Sequence, residues 1–504
     1  MIRVRFAPSP TGGLHIGGVR TALYNYLFAK KNGGEFILRI EDTDQKRKVE
    51  GAEEYIKQAL DWCGITPDES PQKEGNYGPY RQSERLGLYK QYAQKLLDSG
   101  MAYYAFDSSE ELEAMRTKLQ EAKASNQQYS SANRMGMRNS LAMEPSEVES
   151  IIKSGAPYVI RIKLEADKTV EVNDIIRGKV SVSTNTMDDK VLMKSDGFPT
   201  YHLANIVDDH LMKITHVIRG EEWLPSAPLH IMLYQYFGWQ APQFAHLPLL
   251  LKPEGNGKLS KRDADKHGFP IFPLNYTDAK SGELAEGFKE KGYLPETMVN
   301  FLALLGWNPG TEQEIFSLKE LTGAFELERI SKAGAKFDIQ KANWLNEHYL
   351  RSTPMEELAD SLVEKAQKEG TACSIEKARA IVTLLIERST FKDDFWNNGQ
   401  YFFVSPTAYD AKTVKKKWKP ETVQALELFS SYIKELENPT AEGYKKWFEK
   451  TVTELDLGFG RVMPGLRLAL TGQGGGPDLM GILAVLGVKE SISRINLAIN
   501  TIAL

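Results

Sequence analysis

The N-terminal stretch constrains the fold most, because it predicts a strand, a glycine turn and the start of a helix in immediate succession. Residues 2–6 alternate apolar and basic side chains, as a short strand does, and two prolines then end the strand. Gly12 and Gly13 permit backbone angles that other residues avoid. We expect a helix to begin near residues 15–17, so that its free N–H groups and its dipole can bind a phosphate.

His15 lies at the end of this turn, where an imidazole can donate a hydrogen bond to a phosphate oxygen. A histidine–glycine turn is also common in ordinary strand–helix connections, so this motif alone identifies no function. A second motif follows far along the chain, where residues 257–262 combine a glycine, three cations and a hydroxyl. By itself, the second motif is typical of a solvated charged loop.

Together, the two motifs resemble the paired signatures of class I aminoacyl-tRNA synthetases. The first reads Arg-Phe-Ala-Pro-Ser-Pro-Thr-Gly over residues 5–12 and His-Ile-Gly-Gly over residues 15–18, and the second reads Lys-Leu-Ser-Lys-Arg over residues 258–262. This variant, with Arg-Ile-Glu-Asp-Thr-Asp over residues 39–44, is similar to that of the bacterial-type glutamyl-tRNA synthetases. In that group a glycine, here Gly18, commonly replaces the second histidine of the general signature.

The resemblance implies a glutamate–tRNA ligase, which activates L-glutamate with ATP to glutamyl-adenylate, releases pyrophosphate, and transfers the amino acid to the 3′-terminal adenosine of tRNA(Glu). The implied catalytic residues are His15, Lys258 and Lys261. The implied ATP-binding residues are Gly12, His15, Gly17, Gly18, Glu222, Trp223, Lys258, Ser260 and Lys261. The implied glutamate-binding residues are Arg5, Ala7, Ser9, Glu41, Tyr201, Asn205 and Arg219, and Asp44 is implied to lie near the 3′ end of the tRNA.

Substrate choice is expected to depend on Arg5 and Arg219, because two guanidinium groups match the two carboxylates of glutamate. Glutamine would leave one guanidinium opposite a neutral amide, and a buried unpaired charge costs about 2 to 5 kcal/mol. The sequence leaves open which arginine binds which carboxylate. The α-carboxylate, with a pKa of about 3.5, needs no general base before it attacks ATP.

ATP is expected to bring Mg²⁺, held mostly by phosphate oxygens and water, so no dedicated protein metal site is predicted. Some members of the family hold a zinc ion in an inserted domain with cysteines and a histidine. The chain has two cysteines, Cys63 and Cys373, both outside the segment that corresponds to that domain. We therefore expect neither zinc nor a disulfide framework.

The order of predicted elements indicates a multidomain α/β protein. A strand over residues 35–40 follows the first helix and completes the strand–helix–strand unit of a doubly wound, Rossmann-type parallel sheet. Ligands of such sheets bind beyond the carboxyl ends of the strands, where Glu41 and, after a second central strand, Arg219 are expected. Taken singly, Arg219 would be read as a surface ion pair and Glu41 as a helix-start acid.

The domain boundaries are predicted where the alternation of strands and helices is interrupted. A charged helix is predicted over residues 110–126, within a segment that the resemblance identifies as an inserted α+β domain for the tRNA acceptor end. A helical region is predicted over residues 292–307 and 325–350, and after residue 350 helices are predicted over residues 355–368, 375–387, 423–436, 444–455, 480–486 and 490–504. The predicted domains are the first half of the catalytic domain (1–100), the inserted domain (101–190), the second half of the catalytic domain (191–255), a helical stem-contact domain (256–350) and an all-helical anticodon-binding region (351–504).

Three further segments carry weaker signals. Residues 263–282 run longer than the resemblance leads us to expect, and we predict a surface insertion of unknown purpose. The glycine-rich residues 472–476 lack the Lys-Ser/Thr ending of a phosphate loop and predict a turn. The five lysines within residues 412–419 fit a solvated helix face and a contact with the phosphate backbone of tRNA equally well.

Composition limits the remaining choices. The 504 residues, 41% hydrophobic, can form several cores, and a net charge of −4 does not by itself indicate a nucleic-acid binder. The sequence has no apolar run of about 18 residues and no signal or transit peptide, so we expect a cytoplasmic protein without a membrane partner. The family's usual form is a monomer.

Other functions stay open at this point. A small-molecule nucleotidyltransferase shares the histidine–glycine turn, but would leave the helical half without a role. A tRNA-binding protein with an inactive site would not need His15, Lys258 and Arg219 together. A glutaminyl enzyme would carry β-barrels in place of the C-terminal helices, and a short paralogue that glutamylates a tRNA base would lack them. The sequence does not show the anticodon-reading residues, or whether tRNA(Gln) is also charged.

Overall fold

A computed structural model describes residues 1–124 and 126–503 of the chain. The chain forms two compact units, Met1–Lys291 with Pro295–Ile339, and Gly292–Leu294 with Gln340–Leu504. The first unit mixes helices and strands, whereas the described part of the second unit is helical, with no strand. The predicted fold class, α/β followed by an all-helical region, is confirmed. No helix within the described residues combines the length and the apolar character needed to cross a membrane.

The first unit begins with the predicted strand–helix–strand sequence. Its elements, in chain order, are β1 (Arg3–Phe6), α1 (Ile16–Lys31), β2 (Glu35–Leu38), α2 (Ala52–Trp62), α3 (Leu86–Asp98), β3 (Ala102–Ala105), α4 (Ser109–Glu121), α5 (Pro145–Lys153), β4 (Val159–Ile162), β5 (Thr169–Asp174), β6 (Gly178–Ser183), β7 (Val191–Met193), α6 (Tyr201–Leu211), β8 (His216–Gly220), α7 (Ala227–Tyr236), β9 (Gln243–Leu247), β10 (Leu250–Leu251), α8 (Lys261–His267), β11 (Tyr276–Thr277), β12 (Leu284–Ala285), α9 (Phe288–Lys291), α10 (Pro295–Leu304), α11 (Leu318–Ala324) and β13 (Ala335–Lys336).

Parallel strands form the centre of the first unit. β1 pairs in parallel with β2, and β8 pairs in parallel with β9. The backbone N–H of Thr215 donates to the carbonyl of Arg3, which brings β1 beside β8. β5 continues the sheet in parallel beyond β9 and then pairs antiparallel with β6, whereas β3, β4 and β7 form a separate antiparallel sheet.

Helix α1 packs against this sheet through an apolar face. Val19, Leu23 and Leu27 follow one another at helical spacing and are buried. The Asn25 side chain is also buried, and its amide donates to the carbonyl of Ile218 in β8 at 3.0 Å. This hydrogen bond holds the middle of α1 against β8.

The second unit is a bundle of helices around its own apolar core. Its helices are α12 (Ile339–Ser352), α13 (Met355–Lys368), α14 (Ile375–Leu385), α15 (Asp394–Asn397), α16 (Ala411–Lys417), α17 (Pro420–Ile433), α18 (Ala441–Glu454), α19 (Phe459–Thr471) and α20 (Leu479–Thr501). The sequence predicted two helices, over residues 480–486 and 490–504, where α20 is interrupted at Gly487, whose φ is 78°. The predicted end at residue 504 lies outside the described residues.

Several predicted elements differ from the structure. The charged helix predicted for residues 110–126 is α4, but it ends at Glu121, and residue 125 lies outside the described part of the chain. Residues 325–350 were predicted to be helical, yet they contain strand β13, and α12 begins only at Ile339. Helices α16 and α19 were not predicted, because lysines, glycines and a proline mask their apolar spacing. The turn predicted at residues 472–476 is confirmed: Gly472 ends α19 with a φ of 72°.

The segment 263–282 corrects a prediction that bears on the site. We expected a surface insertion, but Phe269 and Ile271 are buried, and the side chain of Tyr276 packs against Gly13 of the N-terminal turn. The carbonyl of Ile271 also accepts the backbone N–H of Ile16, the first residue of α1. The prediction is wrong for these residues, because an aromatic and apolar stretch lies inside a sequence that otherwise reads as polar.

Candidate active site

A cavity of about 510 Å³ opens where β1, β2 and β8 end. This is the edge at which ligands of open α/β sheets bind. It brings together most of the residues that the sequence predicted for ATP, glutamate and tRNA: Arg5, Ala7, Ser9, His15, Gly17, Gly18, Glu41, Asp44, Tyr201, Asn205, Arg219, Glu222, Trp223 and Lys258. The predicted residues Gly12, Ser260 and Lys261 do not line the cavity.

His15 caps the N-terminus of α1. Its Nδ1 accepts the backbone N–H of Gly17 at 3.1 Å. A ring nitrogen that accepts carries no proton, so the neutral imidazole has its proton on Nε2, which can donate to a ligand. Partial burial and the nearby Lys258 ammonium lower the pKa of His15, while Glu222 opposes them.

The glycines after His15 leave no room for side chains. A Cβ atom on Gly18 would overlap the side chain of Leu14, and one on Gly17 would press against the His15 ring. Gly13 is covered by the rings of Tyr276 and Phe272. The glycine at position 18 therefore follows from local packing, since a second histidine there would displace Leu14.

The two cations of the second motif have different surroundings. Lys258 lines the cavity, and its Nζ lies 3.7 Å from Glu222 Oε1 with both side chains about half exposed. Lys261 instead donates to Glu283 at 2.8 Å, and this hydrogen bond raises its pKa. Ser260 caps α8 through its hydrogen bonds with Asp263.

Arg5 is already paired inside the protein. Its Nε and Nη2 donate to the two carboxylate oxygens of Asp209 at 3.0 and 3.3 Å. Arg39, which is fully buried, donates to Asp209 Oδ1 at 2.7 Å and to Glu41 Oε1 at 3.0 Å. Burial opposes the ionisation of Asp209, but Arg5 and Arg39 outweigh it and lower the pKa of that carboxyl.

Glu41 is a buried carboxylate at the cavity wall. Burial raises its pKa, and the attraction of Arg39 and Arg5 acts in the opposite direction. The amide of Asn205 lies 3.3 Å from Glu41 Oε1 and is buried with it. A carboxylate in this position can accept hydrogen bonds from an ammonium group.

Arg219 differs from Arg5 because its hydrogen-bond partners are neutral. Its Nη1 donates to the Tyr201 hydroxyl at 2.8 Å, and its Nε donates to His246 Nε2 at 3.0 Å. Over residues 1–124 and 126–503, no carboxylate forms an ion pair with its guanidinium. The side chain is only 5% exposed and lines the cavity, so its positive charge is available to an anionic ligand.

An aromatic surface and an acid complete the opening of the cavity. Trp223 is 39% exposed, and its ring lies 4.1 Å from that of Tyr201 at an interplanar angle of 34°. An exposed indole can stack on a flat ring of a ligand. Asp44, also at the cavity, accepts a hydrogen bond from Arg47 at 2.6 Å, and this hydrogen bond lowers the pKa of Asp44.

The sequence missed the residues that support the predicted ones. Asp209 lies 204 positions from Arg5, and Arg39, Asp208 and the histidines around Arg219 were not singled out. One sequence signal was available: Asp208 and Asp209 follow apolar residues in α6. Acids in such a position are buried, and a buried carboxylate requires a cationic or hydrogen-bonding partner.

The cavity therefore combines the cations Arg5 and Arg219 with the buried carboxylate of Glu41. It also contains the start of α1, capped by His15, and the ammonium group of Lys258. Comparison with known proteins agrees with this geometry. A family model described as tRNA synthetases class I (E and Q), catalytic domain, matches residues 1–344, and one described as anticodon binding domain matches residues 355–499.

Relatives align over the whole chain. A glutamate–tRNA ligase of Christiangramia forsetii is 54% identical over 501 residues, and one of Amoebophilus asiaticus is 55% identical over 503 residues, each covering 99% of this chain and at least 98% of the relative. The crystal structure of a glutamate tRNA ligase from Elizabethkingia meningosepticum in complex with its amino acid superimposes with a TM-score of 0.97, at 51% identity and with both chains fully covered. The chain belongs to the class I tRNA synthetases for E and Q and, within them, to the glutamate–tRNA ligases.

Proposed function

We propose that the cavity joins the α-carboxylate of L-glutamate to the α-phosphate of ATP, and that the aminoacyl group then passes to the 3′-terminal adenosine of tRNA(Glu). The observation that carries this proposal is the unpaired charge of Arg219 in the same cavity as His15 and Lys258. One cavity thus offers a site for an acidic side chain and a site for phosphates.

Arg219 binds the side-chain carboxylate of glutamate in this proposal. The α-carboxylate loses its charge when it becomes part of the mixed anhydride, whereas the side-chain carboxylate stays ionised throughout. A buried guanidinium without a protein counter-charge needs a partner that keeps its charge. The positive charge of Arg5 is compensated by Asp209, so Arg5 can bind the α-carboxylate even though that group loses its negative charge in the reaction. Glu41 receives the ammonium group.

The remaining ligand contacts follow from the walls of the cavity. Ala7 and Ser9 come directly after β1 and line the glutamate end with Tyr201 and Asn205. Trp223 offers its exposed indole to the adenine ring, and Glu222 lies beside Lys258. Gly12, Ser260 and Lys261 stay in the proposal as residues that reach ATP after a rearrangement of their loops.

Activation is a displacement at phosphorus. An oxygen of the α-carboxylate forms a bond to the α-phosphorus, the bond to the bridging oxygen breaks, and pyrophosphate leaves with the electron pair. No proton moves in this step, so the protein's contribution is orientation and charge neutralisation. The Nε2–H of His15, the N–H groups at the start of α1 and the Lys258 ammonium are suited to the phosphates. Mg²⁺ would arrive with ATP as the counter-ion of those phosphates.

Transfer to tRNA uses both units of the chain. The terminal ribose hydroxyl attacks the anhydride carbonyl, the bond between that carbonyl carbon and the phosphate oxygen breaks, and AMP leaves with the electron pair while its phosphate takes the hydroxyl proton. Asp44, at the cavity, is the residue we assign to the tRNA 3′ end. In the second unit, the lysines of α16 are exposed while Trp418 is buried beneath them, an arrangement that fits contact with the tRNA phosphate backbone.

Pyrophosphate exchange tests the proposal directly. We expect exchange into ATP with glutamate, none with glutamine, and a requirement for bound tRNA(Glu). Exchange that proceeds without any amino acid would favour a small-molecule nucleotidyltransferase, and equal exchange with glutamine would contradict the role of Arg219. Charging of tRNA(Gln) in the same experiment measures the tRNA specificity, and light scattering of the free protein tests the expected monomer.

A further inference from the structure

We propose that His230 and His246 position Arg219 as neutral hydrogen-bond acceptors and thereby set the selectivity of the cavity for a carboxylate over an amide. The inference rests on the proposed function, since it concerns the amino acid that Arg219 binds. Neither histidine lines the cavity, so both act through Arg219 as positioning residues.

The hydrogen bonds around Arg219 fix the proton positions on both rings. A guanidinium has five N–H donors and no acceptor. Arg219 Nε lies 3.0 Å from His246 Nε2, and Nη1 lies 3.3 Å from His230 Nδ1, so each of these ring nitrogens must accept. Both histidines are therefore neutral, because an imidazolium has no nitrogen that accepts.

Each ring donates its remaining N–H to a further partner. His246 Nδ1 lies 2.6 Å from Asp174 Oδ2, and His230 Nε2 lies 3.2 Å from His202 Nδ1. Asp174 Oδ1 also accepts backbone N–H groups of Ile176 and Arg177. Its charge is thus satisfied by neutral donors, and the acid does not need His246 as a cation.

Electrostatics favours the same protonation states. Burial lowers the pKa of His230, and the adjacent Arg219, His202 and His246 add to the effect. Burial and Arg219 also lower the pKa of His246, although its hydrogen bond to Asp174 acts in the opposite direction. The other charged groups facing this cluster are Arg5, Lys190, Asp188 and Arg177.

Counting donors shows what remains for the substrate. Nε–H points to His246, and the two hydrogens of Nη1 go to Tyr201 and His230. Nη2 lies a long 3.4 Å from the carbonyl of Trp223, so it keeps at least one free N–H. Because the Tyr201 oxygen accepts from Arg219, the Tyr201 hydroxyl hydrogen is also free to donate.

A carboxylate can accept both of these donors, one at each oxygen. An amide can accept one of them but presents its own N–H₂ group to the other, which sets a donor against a donor. The histidines create this arrangement because they occupy the other N–H groups without cancelling the charge of Arg219. Asp209 shows the contrasting case, since its carboxylate accepts two hydrogen bonds from Arg5 and also compensates the charge of Arg5.

The sharpest test compares two substitutions that differ by one charge. In His230→Asn a side-chain oxygen replaces Nδ1 as a neutral acceptor, whereas in His230→Asp the oxygen belongs to a carboxylate that cancels the charge of Arg219. We expect His230→Asn to keep the KM for glutamate within about threefold and the preference over glutamine intact. We expect His230→Asp to raise the KM for glutamate about 30-fold or more and to lower the glutamate preference by a similar factor. Asparagine and aspartate have almost the same shape, so a difference between the two variants reports the charge alone. The KM for ATP should stay within about twofold in both, because Arg219 is assigned to glutamate.

His246 offers an independent pair. His246→Gln keeps an acceptor near the position of Nε2, and His246→Leu removes it. We expect the leucine variant to lose about 10- to 100-fold in kcat/KM for glutamate, as for a lost hydrogen bond to a charged group, and the glutamine variant to recover most of that loss. His210→Asn, at a histidine stacked on Trp239 away from the cavity, is the matched control.

The outcomes separate this inference from the proposed function. If the unmodified protein shows no glutamate-dependent exchange, the proposed function fails. If that exchange is normal and His230→Asn and His230→Asp have the same glutamate preference, the positioning role is overturned. A circular dichroism melt of each variant identifies folding losses, and the asparagine–aspartate comparison remains decisive through direct glutamate binding.

Discussion

The ammonium group of Lys261 donates a hydrogen bond to the carboxylate of Glu283, with Nζ 2.8 Å from Oε2. Glu283 directly precedes β12 in the hairpin that follows α8. Lys258, three residues earlier in the same motif, lines the cavity, whereas Lys261 does not. Lys261 must therefore leave Glu283 before its charge can reach a phosphate in the cavity.

Replacing Glu283 should make Lys261 more available to ATP. An exposed ion pair is weak, so Glu283→Gln should lower the KM for ATP by a factor of only about 1.4 to 5. The KM for glutamate should not change. Glu286→Gln, which removes the exposed pair with Lys291, is the control for loss of a surface acid. An increase in the KM for ATP in Glu283→Gln would show that the carboxylate assists ATP binding.

Removing the unpaired guanidinium should weaken the binding of glutamate and leave the binding of ATP nearly unchanged. Arg219→Ala should raise the KM for glutamate about 30-fold or more, because a buried charge pair with the substrate is worth about 2 to 5 kcal/mol. The KM for ATP should change less than about threefold. Initial rates of pyrophosphate exchange at varied glutamate and varied ATP measure both constants. Equal losses for the two substrates would contradict the assignment of Arg219 to glutamate.

Asp209 should be important for folding as well as for binding. Asp209→Asn would remove the carboxylate that the buried Arg5 and Arg39 share, and of the two only Arg39 would keep another carboxylate acceptor, Glu41. Breaking a buried ion pair on one side costs about 3 to 5 kcal/mol in the free energy of unfolding. The exposed Asp61, paired with Lys57 at 3.4 Å, provides the control Asp61→Asn, for which we expect a change below about 0.5 kcal/mol. Urea denaturation of both variants measures the two free energies of unfolding, and equal midpoints would contradict the predicted role of Asp209 in stability.

The sequence predicted the part of the site that depends on local structure. The strand, the turn and α1 follow from residues that are neighbours in the chain, and the carboxyl ends of parallel strands meet at one edge, which brings Glu41 and Arg219 together. Family signatures supplied the rest of the predicted residues.

Partners that depend on tertiary packing could not be predicted in the same way. Arg5 and Asp209 are distant in sequence, and Arg219 and His246 meet only because β8 and β9 pair side by side in the sheet. No periodicity encodes such pairs, because each is chosen by which side chains meet after folding. The packing of Tyr276 on Gly13 was missed for the same reason.

The contact between Gly13 and Tyr276 should be sensitive to a single methyl group. A Cβ on Gly13 would overlap the Tyr276 ring, so Gly13→Ala should displace the ring and raise the KM for ATP. The double variant Gly13→Ala with Tyr276→Ala should recover part of the loss, since it restores space. Gly87→Ala, where a Cβ meets nothing within 4 Å, is the control, and helix propensity predicts a gain of up to about 1 kcal/mol there. Two single losses that simply add in the double variant would exclude the steric explanation.

The buried histidines should make stability depend on pH in the acid range. Burial, assisted by Lys190, lowers the pKa of His202 to about 4. In the unfolded chain its pKa is about 6.5, so the stabilisation is fully present above pH 6.5 and is lost as the pH falls towards 4. At up to 1.36 kcal/mol per pH unit, this one group accounts for about 2 kcal/mol between pH 7.5 and pH 5. His230, whose pKa is also lowered by burial, acts in the same direction.

His202→Asn isolates this contribution, because its side-chain oxygen can accept from His230 Nε2 as His202 Nδ1 does, but the residue does not titrate. We expect the unfolding free energy of the variant, measured in urea at pH 7.5 and pH 5.0, to fall by about 2 kcal/mol less than that of the unmodified protein. His267→Asn, at an exposed histidine of α8, is the control for the loss of an imidazole. If His202→Asn and the unmodified protein lose the same free energy over this range, His202 is not held neutral by its surroundings.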